Sequence, residues 1–146
     1  MATETAIPFL IMPALVSGLI IGIYEIILVH RDVQIPTHRF SHGVHGLVFA
    51  VIASFAVFNV PFVLHLIPAI KTIPLLGNAL FFRIAIGLVM MIKIHGVSAA
   101  IRSNVGGPST GLKETWAHSA IVAALVIVAP YIFPFIAPTL PKWMVK

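Results

Sequence analysis

The stretch from residue 7 to residue 29, IPFLIMPALVSGLIIGIYEIILV, decides the fold class of this chain. It contains one charged residue, Glu25, and it is longer than the roughly 20 residues with which an α-helix crosses about 30 Å of hydrocarbon. Its apolar residues do not alternate with polar ones, as the strands of a membrane barrel would, and such strands are only about 10 residues long. The stretch therefore predicts a transmembrane α-helix.

The rest of the chain continues this pattern. Of the 146 residues, 60% are hydrophobic and only 9% are charged, whereas a soluble domain carries roughly 25% charged residues. Long apolar blocks alternate with short polar, Pro-rich or Gly-rich connections. The sequence predicts an all-α integral membrane protein in which residues 1–146 form a single transmembrane domain. We expect a bundle of four transmembrane helices with short loops, at about residues 8–29, 43–66, 75–100 and 116–138.

Composition also excludes several classes of function. The net charge of +5 is scattered over loops and helix ends instead of forming a patch, which argues against nucleic-acid binding. The chain has no cysteine, so disulfides, thiolate zinc sites and iron–sulfur clusters are excluded. Residues 1–6 lack the basic residues of a signal peptide, and we expect the first span to remain in the mature protein. The lipid bilayer is the partner that this composition predicts.

Basic residues in the loops predict the orientation in the membrane. The predicted first and third loops hold four basic residues, and the opposite side holds three: Arg31, Arg39, Arg102 and Lys113 against Lys71, Lys142 and Lys146. The positive-inside rule then places the first and third loops in the cytoplasm. Both termini are expected outside, with the cell membrane as the location.

Three ionisable side chains, Glu25, Arg83 and Lys93, fall inside predicted helices. Such groups are costly in lipid and usually face the bundle interior, a partner or water. Glu25 is expected to form an intramembrane ion pair with Lys93 or to pair with a histidine. Arg83, only about two turns into the third helix, is expected to snorkel outward or to meet a partner's carboxylate, since no carboxylate of this chain lies near it.

Glycines and prolines predict how the helices pack and bend. Gly18 and Gly22 form a small-xxx-small pattern that favours close packing within the bundle. Pro61 is expected to kink the second helix in its final third. The second half of the fourth helix is expected to be bent or partly unwound by three prolines spaced four residues apart, Pro130, Pro134 and Pro138.

Six of the seven histidines are expected near one membrane face, and three of them suggest a metal site. His38, His42 and His45 follow an i, i+4, i+7 spacing that aligns three imidazoles if the helix begins early enough. Imidazole suits copper or zinc, and Asp32 or Glu25 would complete the ligand set. The alternatives are interfacial histidines bonded to loops or headgroups, and a proton path or pH-responsive switch.

Haem is a second cofactor that histidines on facing helices would hold. Bis-histidine ligation requires two histidines at similar depth, and His95 with His45 or His118 is the best available pair. Met90 and Met91 on the third helix are interpreted as core residues and not as copper ligands.

Several motifs together resemble a known group of proteins. They are Gly22-Ile23-Tyr24-Glu25, His30-Arg31-Asp32, His42-Gly43-Val44-His45 and Glu114-Thr115-Trp116-Ala117-His118. In these motifs the chain resembles small archaeal-type four-helix membrane proteins over nearly its whole length. The resemblance implies the architecture and assigns no catalytic residue.

Three hypotheses for function follow. Since the chain lacks a soluble domain, a nucleotide motif and an acid–base or nucleophile constellation, we do not expect it to catalyse a reaction alone. The first hypothesis is an accessory or structural subunit of a multisubunit membrane enzyme, such as a respiratory complex or a copper membrane monooxygenase of the ammonia monooxygenase type. The second is a metal-, haem- or proton-handling membrane protein. The third is a small oligomeric transporter or channel, although no inverted repeat is visible.

Overall fold

The computed structural model describes residues 7–32, 36–105 and 116–145, and all regular structure within these ranges is helical. The all-α prediction is therefore confirmed for the described residues. The α-helices are α1 (Met12–Asp32), α2 (Pro36–Phe58), α3 (Val60–Leu66), α4 (Ala79–Val105) and α5 (Trp116–Ile136). Short 3-10 segments lie at Pro68–Thr72, Ala137–Thr139 and Lys142–Met144.

Three helices in these ranges are long and apolar enough to cross a membrane, which is consistent with an integral membrane protein. Their candidate spans are Met12–His30 in α1, Ala79–Gly96 in α4 and Trp116–Thr139, which begins with α5. The number rises to four if α2 and α3, bent by 55° relative to each other, form one span.

The α1–α2 pair has the most extensive contact between helices, and glycines of α1 allow it. A Cβ atom on Gly18 would lie 2.7 Å from Cα of Val51, and one on Gly22 would lie 2.9 Å from Cα of Leu47. Both distances are shorter than real Cβ contacts, so a larger residue at either position would separate the backbones. The small-xxx-small pattern thus serves packing within this chain.

The second predicted helix is bent by 55° between α2 and α3, at Asn59, two residues before Pro61. The kink expected from Pro61 is therefore present. Pro61 has no N–H, so the carbonyl of Val57 loses its helical donor. The side chain of Asn59 adds hydrogen bonds at the break, since its Nδ2 donates to the carbonyls of Phe55 (2.9 Å) and Leu10 (3.2 Å). Its Oδ1 accepts the backbone N–H of Leu10 at 2.7 Å. Asn59 therefore fixes the residues before α1 against the break.

Helix boundaries differ from those expected where local capping decides them. α2 begins at Pro36, seven residues before the predicted start, and proline suits the first turn because it needs no N–H partner there. α4 begins at Ala79 and not near residue 75. Asn78 stands just before it, and its Oδ1 accepts the backbone N–H of Leu80 at 2.9 Å, as an N-cap residue does.

α5 remains α-helical through two of its prolines. It contains Pro130 and Pro134 and ends at Ile136, so the expected unwinding of its second half does not begin at these prolines. The chain changes to a 3-10 segment at Ala137. That change agrees with the rule that a residue before proline, here Ala137 before Pro138, disfavours the α conformation.

The buried core lies between α1, α2, α4 and α5. Side-chain contacts distinguish its two ends. At one end, Glu25 of α1 meets the start of α5, and the start of α5 meets the later part of α4. We call it the Glu25 end. At the other, Arg83 of α4 meets the end of α2 and the later part of α5. We call it the Arg83 end.

Candidate functional site

A buried acid–histidine pair is the main polar feature of the Glu25 end. The side chain of Glu25 is completely buried, and its Oε2 lies 2.8 Å from Nε2 of His118, which is also buried. Glu25 lies on the α1 stripe that includes Gly18 and Gly22 and packs against α2. The pair links α1 to the first turn of α5, across 93 residues of sequence.

Gly46 of α2 makes room for the Glu25 side chain. A Cβ atom on Gly46 would lie 2.6 Å from Cγ of Glu25 and 3.2 Å from its Oε1. Oε1 is buried and accepts no hydrogen bond from any residue that the structure describes. The carboxylate therefore lies between α2 and α5. Its Oε2 contacts His118, and its Oε1 has no hydrogen-bond donor among the described residues.

The structure places Lys93 away from Glu25. The side chain of Lys93 is exposed, while Glu25 is bonded to His118. Lys93 lies close enough to His45 for a positive charge on it to act on that imidazole. Of the two partners expected for Glu25, a histidine or Lys93, Glu25 therefore pairs with the histidine, His118.

The histidines of α2 and α4 lie in separate surroundings. His42 is buried, whereas His45 is half-buried and meets the ring of Phe49 edge-on at 4.6 Å. His95 of α4 stacks on Trp116 at 3.7 Å with an interplanar angle of 18°, and its buried Nδ1 has no hydrogen-bond partner among the described residues.

These positions bear on the metal and haem hypotheses. In the described part of the chain, no three His, Asp or Glu side chains are grouped so that they could hold a metal ion. The side chains of His38 and Asp32, which belong to the predicted set, lie outside the described residues. His95 and His118, considered for haem, instead contact Trp116 and Glu25 respectively.

Arg83 forms the main polar contact of the Arg83 end. It is buried, its Nε donates to the carbonyl of Val57 at 3.0 Å, and its Nη1 donates to the Tyr131 hydroxyl at 2.7 Å. The guanidinium also lies over the Tyr131 ring, 4.9 Å from the centroid, which is a cation–π distance. Val57 is the residue whose carbonyl Pro61 leaves without a helical donor. Arg83 therefore points into the bundle, whereas an outward direction was expected.

Sequence reasoning missed three residues of these contacts. They are Tyr131, Asn59 and Gly46, none of which the sequence patterns above assign to a contact. One signal was present for Asn59, because a polar amide two residues before a proline in an apolar run often compensates for a broken helix. Gly46 has no such signal, since its role depends on the register of α2 against α1.

A crevice between α1 and α5 is almost entirely apolar. Ser17 is its one polar lining residue, beside side chains such as Ile21, Ala129 and Phe133. Neither Glu25 nor Arg83 lines it. The crevice therefore offers no set of convergent polar groups for catalysis.

Comparison with protein-family models, with curated proteins and with solved structures finds no match to this chain.

Proposed function

We propose that this chain is a small accessory or structural subunit of a multisubunit membrane enzyme. The observation that carries the proposal is the use of its buried ionisable groups. Such groups in a membrane are by default suspected of function, but here the best-defined ones connect helices. Glu25 and His118 join α1 to α5, and Arg83 joins α4 to α2 and α5.

These two contacts between helices support a structural role, in which they hold the bundle rigid, and not a catalytic one. Breaking a buried ionic contact leaves a charged or polar group without its partner, which costs several kcal/mol. A bundle held at both ends in this way keeps a fixed outer surface for a neighbouring subunit. The helices also expose many large apolar side chains, among them Ile20, Ile27 and Ile52, and this surface suits lipid or another membrane protein.

A respiratory complex or a copper membrane monooxygenase, such as an ammonia monooxygenase, is the class of enzyme that we propose as its host. The test is purification of the full-length tagged chain from its own membranes in two mild detergents. We expect larger membrane subunits to co-purify in a fixed molar ratio in both detergents. Recovery of the chain alone, or with proteins whose ratio changes between detergents, would contradict the proposal.

We also propose that α2 and α3 form one bent span, so that four spans cross the cell membrane with both termini outside. The absence of native cysteine makes this directly testable, since a single introduced cysteine reports accessibility at one position. We expect cysteines at residues 71 and 142 to react with an impermeant maleimide added to intact cells. Labelling of either position only after lysis contradicts this orientation. A cysteine at residue 34, between α1 and α2, should react only after lysis, and labelling of residues 34 and 71 from the same side contradicts the fourth span.

Proton handling is a second candidate function, which one observation favours. The Oε1 atom of Glu25 is buried without a hydrogen-bond partner among the described residues, and a protonated carboxyl would remove its charge. Infrared difference spectra of the purified chain between acidic and neutral buffer test this candidate. A carboxylic acid band that disappears in Glu25→Gln supports it, and spectra that do not differ between the two proteins contradict it.

A further inference from the structure

The outward face of α4 combines exposed apolar side chains with a lysine and a glycine. Leu88, Val89 and Ile92 are 48%, 61% and 59% exposed, and Lys93 and Gly96 are exposed on the same side of the helix. Positions 88, 89, 92, 93 and 96 form one stripe at helical spacing. We call this stripe the α4 outer face.

Lys93 is a cation inside the candidate span Ala79–Gly96. At 1.5 Å of rise per residue, its Cα lies about 21 Å along the helix from Ala79 and three residues before the end of the span at Gly96. The carboxylate of Glu25 contacts His118, and no carboxylate among the described residues pairs with Lys93.

Gly96 lies one turn beyond Lys93, and no described residue packs against it. A Cβ atom built on Gly96 would meet nothing within 4 Å, in contrast to Gly18, Gly22 and Gly46, each of which packs against another helix of this bundle. A glycine weakens a helix relative to alanine, and in membrane helices it usually allows a second backbone to approach. Within the described chain, no backbone does so at Gly96.

We propose that the α4 outer face is the docking surface for a transmembrane helix of a partner subunit that carries an Asp or Glu at the depth of Lys93. The partner's carboxylate would neutralise Lys93, and its backbone would approach at Gly96. A lipid headgroup satisfies only the first requirement and leaves the glycine unexplained. The proposal rests on the proposed accessory function and names the chemistry of the partner.

Site-specific photocrosslinking in native membranes tests this proposal. A photoreactive benzoylphenylalanine replaces Val89 in the full-length chain, and a control chain carries it at Ile27, on the exposed side of α1. Each probe is combined with native Lys93, with Lys93→Met and with Lys93→Arg. Because Lys93 is exposed, these changes should leave the thermal stability of the bundle in detergent unchanged.

We expect the Val89 probe to form one protein adduct whose crosslinked peptide is a membrane span containing Asp or Glu. Lys93→Met should lower its yield about fivefold, as the loss of one interhelical polar contact would, and Lys93→Arg should retain it. Adducts with lipid alone, a captured span without a carboxylate, or a yield unaffected by Lys93→Met would each overturn the proposal.

The same experiment separates this proposal from the accessory function. If the Ile27 probe captures a subunit of a larger complex while the Val89 probe captures only lipid, the chain is an accessory subunit that docks through a different face. If both probes capture only lipid and the chain purifies alone, both proposals fail.

Discussion

Replacing Glu25 with alanine tests whether the buried acid–histidine pair holds the bundle together. The substitution removes the carboxylate 2.8 Å from Nε2 of His118 and leaves that imidazole nitrogen without its acceptor, in a site that is closed to solvent. Truncating one partner of a buried ionic pair typically costs about 3–5 kcal/mol. We expect Glu25→Ala to lower the free energy of unfolding by an amount in this range.

Glu25→Gln separates the effect of losing the carboxylate charge from the effect of losing the side chain. The amide has nearly the size of the carboxylate and fits against Gly46 in the same way, and its oxygen can still accept a hydrogen bond from His118. A charge-assisted hydrogen bond is roughly twice as strong as a neutral one, so we expect a loss of about 1–2 kcal/mol. The wild-type chain should be the most stable, Glu25→Gln less stable, and Glu25→Ala the least stable.

Unfolding in mixed micelles with increasing denaturing detergent, followed by circular dichroism, measures these differences. Ile27→Ala is the matched control, because Ile27 lies two residues away on the exposed side of α1, and we expect it to change stability by less than about 1 kcal/mol. If Glu25→Ala costs no more than Ile27→Ala, the pair does not hold α1 to α5 and the reasoning is refuted.

Three further predictions follow from the other contacts. Gly46→Val should cost about 1–3 kcal/mol, because its side chain would collide with Glu25, whereas Gly96→Ala, in open space, should cost nothing. Arg83→Met should cost about 2–3 kcal/mol, because the Val57 carbonyl loses its donor, and Tyr131→Phe about 1 kcal/mol. Asn78→Ala should cost about 1 kcal/mol through loss of the helix cap, and Asn78→Ser should recover most of it.

The same unfolding assay measures all three sets of variants. Equal losses for the Gly46 and Gly96 substitutions would show that Gly46 does not make room for Glu25. A Tyr131→Phe loss as large as that of Arg83→Met would show that the Val57 carbonyl is not the main partner of the guanidinium. For the cap, equal stability of the Ala and Ser variants at position 78 would be the contradicting result.

The helical class and the approximate spans could be predicted because lipid imposes them. A run such as residues 7–29 has no other way to satisfy its backbone in hydrocarbon than a helix. Boundaries were less accurate where a single side chain decides them. The side chain of Asn78 caps α4 and sets its start, and Pro61 places the break in the second predicted helix two residues before itself, at Asn59. Such effects depend on one local interaction, which the mean hydropathy of a long apolar stretch does not reveal.

The polar contacts were predictable only in part, because periodicity gives the direction of a side chain and not its partner. Gly18, Gly22 and Glu25 fall on one side of an ideal helix, and Glu25 is completely buried on that side. Its partner depended on the register of α5, and that register is set by long-range packing. The same limit applied to Arg83, whose acceptor at Val57 becomes available only because Pro61 interrupts the hydrogen bonds of a neighbouring helix.

The mass at which the intact chain migrates on a native gel of mildly solubilised membranes tests the accessory-subunit account most directly. The account predicts that the 15.8 kDa chain migrates within a much larger assembly, together with other membrane subunits in a constant ratio. Migration as a monomer, or as an assembly that contains only copies of this chain, would contradict it.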